Sequence, residues 1–380
     1  MTGEILDFFI SGLLSIGWKE VTMYAIGAFL IWLAIAKDYE PMLLLPIGFG
    51  AILINLPLAT VWEMYGEPGI LQTLFNAGIL SEVFPLLIFV GVGAMIDFGP
   101  LFQRPWLMLF GAAAHLGIFV TVIIALALGY DLREAACIGV IGAADGPTTI
   151  IVTKQFAEEL LGPIMVVAYS YMSLVPIIQP PVVRALTSKK ERLIRMTAED
   201  HDIPKAVTIS FPVIVTVVSC VLVPMGAPLI GFLMFGNLIR ECGVLAKLSS
   251  TAQNEMANIV TLLLGISVAA SMRAEAFLRL QTLSILALGL VAFIINTAGG
   301  VLFAKLVNLF LPKAKKINPM IGACGISAFP MSSRVIQKMA LRDDPSNIIL
   351  MHAVSANVSG QLGSVIAGGL LLALVPLLAH

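Results

Sequence analysis

The chain of 380 residues is 59% apolar and only 12% charged, with a net charge of −1, where soluble domains carry about 25% charged residues. With a mean hydropathy of +0.98, this composition excludes an ordinary soluble domain, and no basic tract makes a case for nucleic acid. The apolar stretches lack the period-2 alternation of a membrane barrel. Several are long enough to cross a hydrocarbon core about 30 Å thick, so the expected fold class is an all-α polytopic membrane protein.

In chain order, residues 1–20 read as an amphipathic leader kept in the mature chain, because Glu4 and Asp7 stand where a signal peptide would be basic. Spans are predicted near 21–36, 41–59, 83–97, 106–129 and 162–186, which fill a first half over 21–186. Residues 187–207 form a loop carrying Lys189, Lys190, Arg192, Arg195 and Lys205, which lysine and arginine bias assigns to the cytoplasm. The second half, 208–380, has predicted spans near 208–225, 227–240, 257–272, 282–310 and 347–375, for about ten spans in all. Counting from the loop returns Lys37, Arg104, Lys313, Lys315 and Lys316 to the same side.

Two apolar segments, AACIGVIGAADGPTTIIV (135–152) and INPMIGACGISAFPMSSRV (317–335), are too rich in glycine and proline to be plain helices. They are read as re-entrant hairpins over 135–153 and 317–335, since irregular backbone at membrane depth needs surrounding protein or a water-filled cavity. Laid 138–152 against 321–335 without gaps, they match Ile138 with Ile321, Gly139 with Gly322, Gly142 with Gly325, Pro147 with Pro330 and Val152 with Val335. The span count admits the first hairpin from outside and the second from the cytoplasm, which is the topology of an inverted repeat. Paired broken segments of this kind point to an ion or substrate site.

The copies differ where chemistry would sit: Asp145 faces Ala328, and Ile151 faces Arg334. A carboxylate at membrane depth is costly and is turned inward for function. With Gly146, Pro147, Thr148 and Thr149 beside it, Asp145 offers a hard-oxygen set for Na⁺ or a proton; the same carboxylate also fits the cap of the helix after Pro147, and the two roles are compatible. Arg334 fits either an anion clamp with bidentate geometry or a cytoplasmic anchor. Asn318 and Ser327 line the second segment, although Asn318 also fits a simple turn before Pro319. Tyr171 lies in an apolar span, where a membrane-interface tyrosine is an equal reading. Asn357, in HAVSANVSGQLGS, brings an amide into the last span as a cation ligand or as part of small-residue helix packing. Cys137, Cys220, Cys242 and Cys324 stand singly, and His115, His201, His352 and His380 have no ligand spacing, so Na⁺ and no transition metal is expected.

The segments IGAADGPTTI, YSYMSLVPIIQPP, MFGNLIRECGVLAKLSSTAQNEMANIVTLLLGISV, INPMIGACGISAFPMSSRV and NIILMHAVSANVSGQLGS resemble, in that order, the β-subunit of the sodium-pumping biotin-dependent decarboxylases. The resemblance covers nearly all of the chain after residue 20. It implies a prokaryotic inner-membrane subunit of scaffold and core domains that decarboxylates carboxybiotin and exports Na⁺ while a proton is consumed. Its implied partners are a biotin carrier protein, a carboxyltransferase α-subunit and small membrane-anchoring subunits, with homo-oligomers inside the complex. The family's site residues fall on Asp145, Tyr171, Asn318, Gly322, Ser327 and Arg334. The chain is shorter than oxaloacetate-type members, which leans toward an acyl-CoA system. A free-standing Na⁺/H⁺ antiporter or Na⁺-coupled organic-anion symporter on the same hairpins is the competing reading.

Overall fold

The computed structural model describes residues 12, 14–57, 60–64, 66–196, 203–312 and 315–378. Most of the predicted leader, together with Lys313, His201 and His380, lies outside the described residues. Helix α1 (Trp18–Lys37) starts inside the predicted leader because Glu20 reaches back to accept a hydrogen bond from the Gly17 amide at 2.9 Å, which closes its first turn. Then come α2 (Pro41–Ile54), a two-residue antiparallel pairing of β1 (Glu63–Met64) with β2 (Glu67–Pro68), α3 (Val83–Met95) and α4 (Met108–Ala127). The first hairpin consists of α5 (Leu132–Val140), a 3₁₀ turn over Ile141–Ala143, and α6 (Gly146–Phe156). Helices α7 (Leu161–Ser173) and α8 (Val175–Leu186) follow.

Next come α9 (Lys205–Leu222), α10 (Ala227–Glu241), α11 (Ala257–Ala269) and α12 (Leu280–Phe310). The second hairpin is a 3₁₀ stretch over Pro319–Gly325 followed by α13 (Met331–Asp343), and α14 (Leu350–Leu378) is the last described helix.

A helix stands at each predicted span, but the lengths differ. Five of the described helices are long and apolar enough to cross a membrane: α1, 105–127, α9, α12 and α14. Two bent pairs raise this to seven if each counts as one span. The segment predicted as one span over 162–186 is two helices bent by 67°, because Pro176 at the start of α8 has no N–H to continue the ladder of α7. Helices α2, α10 and α11 have 14, 15 and 13 residues, short of the roughly 20 that cross a bilayer perpendicularly.

Small residues let these helices meet at backbone distance, the usual device where apolar burial gives no preference for protein over lipid. A Cβ on Gly27 or Gly48 would fall 2.6 to 2.7 Å from the other's carbonyl where α1 crosses α2. Where α3 crosses α10, Gly93 lies against the Leu233 carbonyl and Gly236 against that of Val90, and Gly300 faces Gly322 where α12 crosses the second hairpin. The outer faces of α9 and α12 carry exposed Val217, Val221, Leu302 and Leu306, as a lipid-facing surface requires.

Candidate functional site

The hairpins meet at their breaks. In the first, Ala144 takes a left-handed conformation (φ 55°) and Asp145 an extended one, so the chain reverses before Pro147 opens α6. In the second, Ile326 is extended and a turn at Phe329 and Pro330 leads into α13. The Ser327 amide donates to the Ala143 carbonyl at 3.0 Å and its hydroxyl to the Ala144 carbonyl at 3.4 Å, which joins the two tips. These bonds satisfy main-chain groups that a broken helix leaves open.

Asp145 is 4% exposed and caps α6, accepting from the Thr148 amide at 3.3 Å. Its Oδ2 accepts from the hydroxyls of Thr148 at 2.8 Å and Ser364 at 2.5 Å, and from the Gln361 amide at 3.3 Å. No cationic side chain is among these partners. Each is a rotatable hydroxyl or amide that also carries a neutral oxygen, so the groups that donate to the carboxylate can turn their oxygens toward a cation bound to it.

A cavity of about 180 Å³ reaches this carboxylate. One wall comes from α2, α3 and α11, including Leu43, Phe89 and Thr261; the other comes from the hairpin tips with Tyr169, Ser327 and Gln361. Glu40, at the start of α2, also lines it. Burial raises the Glu40 carboxyl above its ordinary range; the Arg334 guanidinium acts in the opposite direction, which places a positive charge near this end of the cavity.

Among the residues singled out in the sequence, Asp145 and Ser327 share the cavity. Asn357 lies beside it, its amide donating to the Ile326 carbonyl at 2.8 Å while its buried Oδ1 has no protein partner. Arg334 is exposed on α13, one turn beyond Pro330.

Three residues are placed differently. Tyr171, on which the family's site residue falls, is engaged elsewhere: its hydroxyl donates to the Leu286 carbonyl, and its ring packs on Gly289 of α12. The tyrosine on the cavity is Tyr169, whose ring lies against Gly146 and whose buried hydroxyl has no partner among the described residues. Two residues apart on α7, the side chains point about 200° away from one another, so only one can face the hairpin.

Asn318, expected in the cation shell, bonds the loop after α8 and so fastens it to the second hairpin. Its Nδ2 donates to the carbonyls of Arg192 at 2.8 Å and Ile194 at 3.0 Å, and its Oδ1 accepts from the Met320 amide. Gly322, also expected there, is a packing residue: a Cβ on it would lie 2.1 Å from the Gly300 carbonyl. Gln361 and Ser364 were not anticipated. With Asn357 they form a polar stripe at i, i+4 and i+7 on α14, a helical periodicity present in the sequence and masked there by the surrounding glycines.

The pattern of the Na⁺-transporting oxaloacetate decarboxylase beta subunit family matches residues 19–375. The chain is 48% identical to the glutaconyl-CoA decarboxylase subunit beta of Acidaminococcus fermentans, over 99% of this chain and 97% of that one. It is 47% identical to the methylmalonyl-CoA decarboxylase subunit beta of Propionigenium modestum, over 98% and 100%. Against the oxaloacetate decarboxylase beta chain 2 of Salmonella typhi the identity is 46%, over 95% and 96%. Helices fit to cross a membrane, a buried carboxylate on paired broken hairpins, and these full-length similarities agree: the chain belongs to the beta-subunit family of the Na⁺-transporting decarboxylases, the membrane subunits of decarboxylase sodium pumps.

Proposed function

We propose that this subunit exports Na⁺ by exchanging it for a proton at Asp145, and that the proton is consumed when carboxybiotin on a carrier protein loses CO₂. The observation that carries this is the carboxylate at the junction of both hairpins, held by hydroxyls and an amide and reached by the cavity. Cleavage of the N–CO₂⁻ bond releases CO₂ and leaves an electron pair on nitrogen, which takes up one proton. Protonated Asp145 supplies that proton and becomes the carboxylate that binds Na⁺. Thr148, Ser364, Gln361 and Ser327 complete the oxygen shell, with Asn357 behind them. Arg334 meets the substrate carboxylate from the cytoplasm, where its planar fork suits that group.

In this reading about ten helices span the inner membrane of a prokaryote. The hairpins over 135–153 and 317–335 enter from opposite faces, and a core carrying them moves against a scaffold, as in inverted-repeat transporters. Residues 187–207 are the cytoplasmic loop between the halves 21–186 and 208–380. The partners are a biotin carrier protein, a carboxyltransferase α-subunit, small anchoring subunits, lipid and further copies of this chain. Relatives of nearly equal identity are named for three different acids, so the acid is chosen outside this subunit; the lean toward an acyl-CoA rests on chain length alone.

The test is Asp145→Asn in the assembled complex. Both Na⁺ transport and Na⁺-stimulated CO₂ release are expected to fall by at least about 100-fold, since an amide cannot release a proton as the ion arrives. A correctly assembled variant that keeps Na⁺-stimulated release would remove Asp145 from the coupling.

A further inference from the structure

A second cavity, of about 540 Å³, opens where the C-terminal end of α12 meets the loop after α8. Three lysines from separate segments line it: Lys190, Lys305 and Lys316. Its acidic group, Glu191, is already engaged, pairing with Lys305 at 3.2 Å, and Lys305 also donates to the Leu186 carbonyl at 3.0 Å. Among the described residues, no ion pair engages Lys190 or Lys316. The cavity therefore holds an excess of positive charge. Its other wall is apolar: Leu302, Leu306 and Leu309 follow one face of α12 at i, i+4 and i+7 and are 51%, 50% and 78% exposed.

A free inorganic anion would use the lysines and leave the leucines without purpose, and an apolar helix face of a partner would leave the lysines unanswered. A ligand with an anionic head and hydrocarbon tails uses both. Basic recesses at the cytoplasmic ends of membrane helices hold acidic lipid headgroups in this manner. We propose that this cavity binds the phosphate headgroup of an anionic phospholipid, with its acyl chains lying along Leu302, Leu306 and Leu309. Bound there, the lipid bridges α12 to the loop that Asn318 fastens to the second hairpin. It does not depend on the reading given above for Asp145.

The measurement is native mass spectrometry of the purified complex titrated with phosphatidylglycerol or phosphatidylcholine. The wild-type complex is expected to bind phosphatidylglycerol more tightly, and Lys190→Gln/Lys316→Gln is expected to reduce that preference roughly tenfold or more. That pair spares Lys305 and its contacts with Glu191 and Leu186; a melting temperature in phosphatidylcholine equal to wild type verifies the fold. Leu306→Ser is expected to weaken phosphatidylglycerol while leaving the lysines in place. An unchanged preference in the lysine variant overturns the proposal. So does displacement of phosphatidylglycerol by millimolar inorganic phosphate with no effect of Leu306→Ser, which would make this a free-anion site. Loss of partner subunits with lipid preference intact would make it a protein-docking surface and equally sink the idea.

Discussion

The first hairpin presents a side chain at its break, whereas the second presents main chain. Asp145 stands at the start of α6 with four donors on its carboxylate, while the matching Ala328 is buried and contributes no polar side chain. In its place the second hairpin offers Ser327, which binds the carbonyls of Ala143 and Ala144, and its own backbone is held from outside. Gln179 of α8 donates to the Ala323 carbonyl at 2.8 Å and Asn357 to that of Ile326. One copy thus carries the charge and the other positions it. A duplicated break supplies two sets of unpaired main-chain groups, and in the function proposed above only one needs a carboxylate.

This division can be broken experimentally. The largest effect is expected for Gly322→Val, because the added Cβ meets the Gly300 carbonyl backbone at 2.1 Å and neither chain can yield cheaply. The cost should exceed about 3 kcal/mol, read as loss of monodisperse, detergent-stable protein. Recovery of normal yield would show that the crossing of α12 over the hairpin is not fixed.

Arg334→Lys should lower turnover with carboxybiotin about tenfold while changing the half-saturating Na⁺ concentration by less than about twofold, since lysine keeps the charge and loses the fork. Normal turnover in that variant would reduce Arg334 to a topological anchor.

Ser364→Ala and Asn318→Ala sharpen the contrast between site and support. Removing the Ser364 hydroxyl should raise half-saturating Na⁺ about fivefold, from the loss of roughly 1 kcal/mol at the shell. Asn318→Ala should leave Na⁺ dependence near wild type and lower the melting temperature, because it releases the Arg192 and Ile194 carbonyls. Should the Na⁺ dependence shift for Asn318 and not for Ser364, the assignment of the two roles would be reversed.

The mildest perturbation is a single cysteine at exposed Glu158 or Lys338, in a background without the native cysteines. Impermeant reagent should reach the first from outside and the second only from the cytoplasm. Labelling of both from one face would defeat the opposed hairpins without touching the chemistry at Asp145.

Much of this molecule was legible beforehand because the signals are local. Glycine weakens a helix and proline withholds an N–H from its ladder, so their concentration at 135–152 and 317–335 made both breaks visible. A charge in an apolar run needs a reason, and Asp145 stood out on that ground alone. The partners of Asp145 were hidden for the opposite cause: Gln361 and Ser364 lie more than 200 residues away, and two polar side chains among the glycines of α14 also suit plain helix packing. Tyr171 and Tyr169 differ only in which face of α7 meets the hairpin, which packing against Gly146 and Gly289 decides.

From composition and pattern alone follow the helical membrane class, the two breaks and the single carboxylate at a break, because each reflects a cost met within a few residues of chain. Tertiary structure decided which tyrosine faces the cavity, that Asn318 bonds the loop carbonyls of Arg192 and Ile194, that Gly322 meets Gly300, and that α14 supplies hydrogen bonds to Asp145. These depend on the rotation of each helix about its axis and on contacts across hundreds of residues, which are set by how closely the small residues let the helices approach.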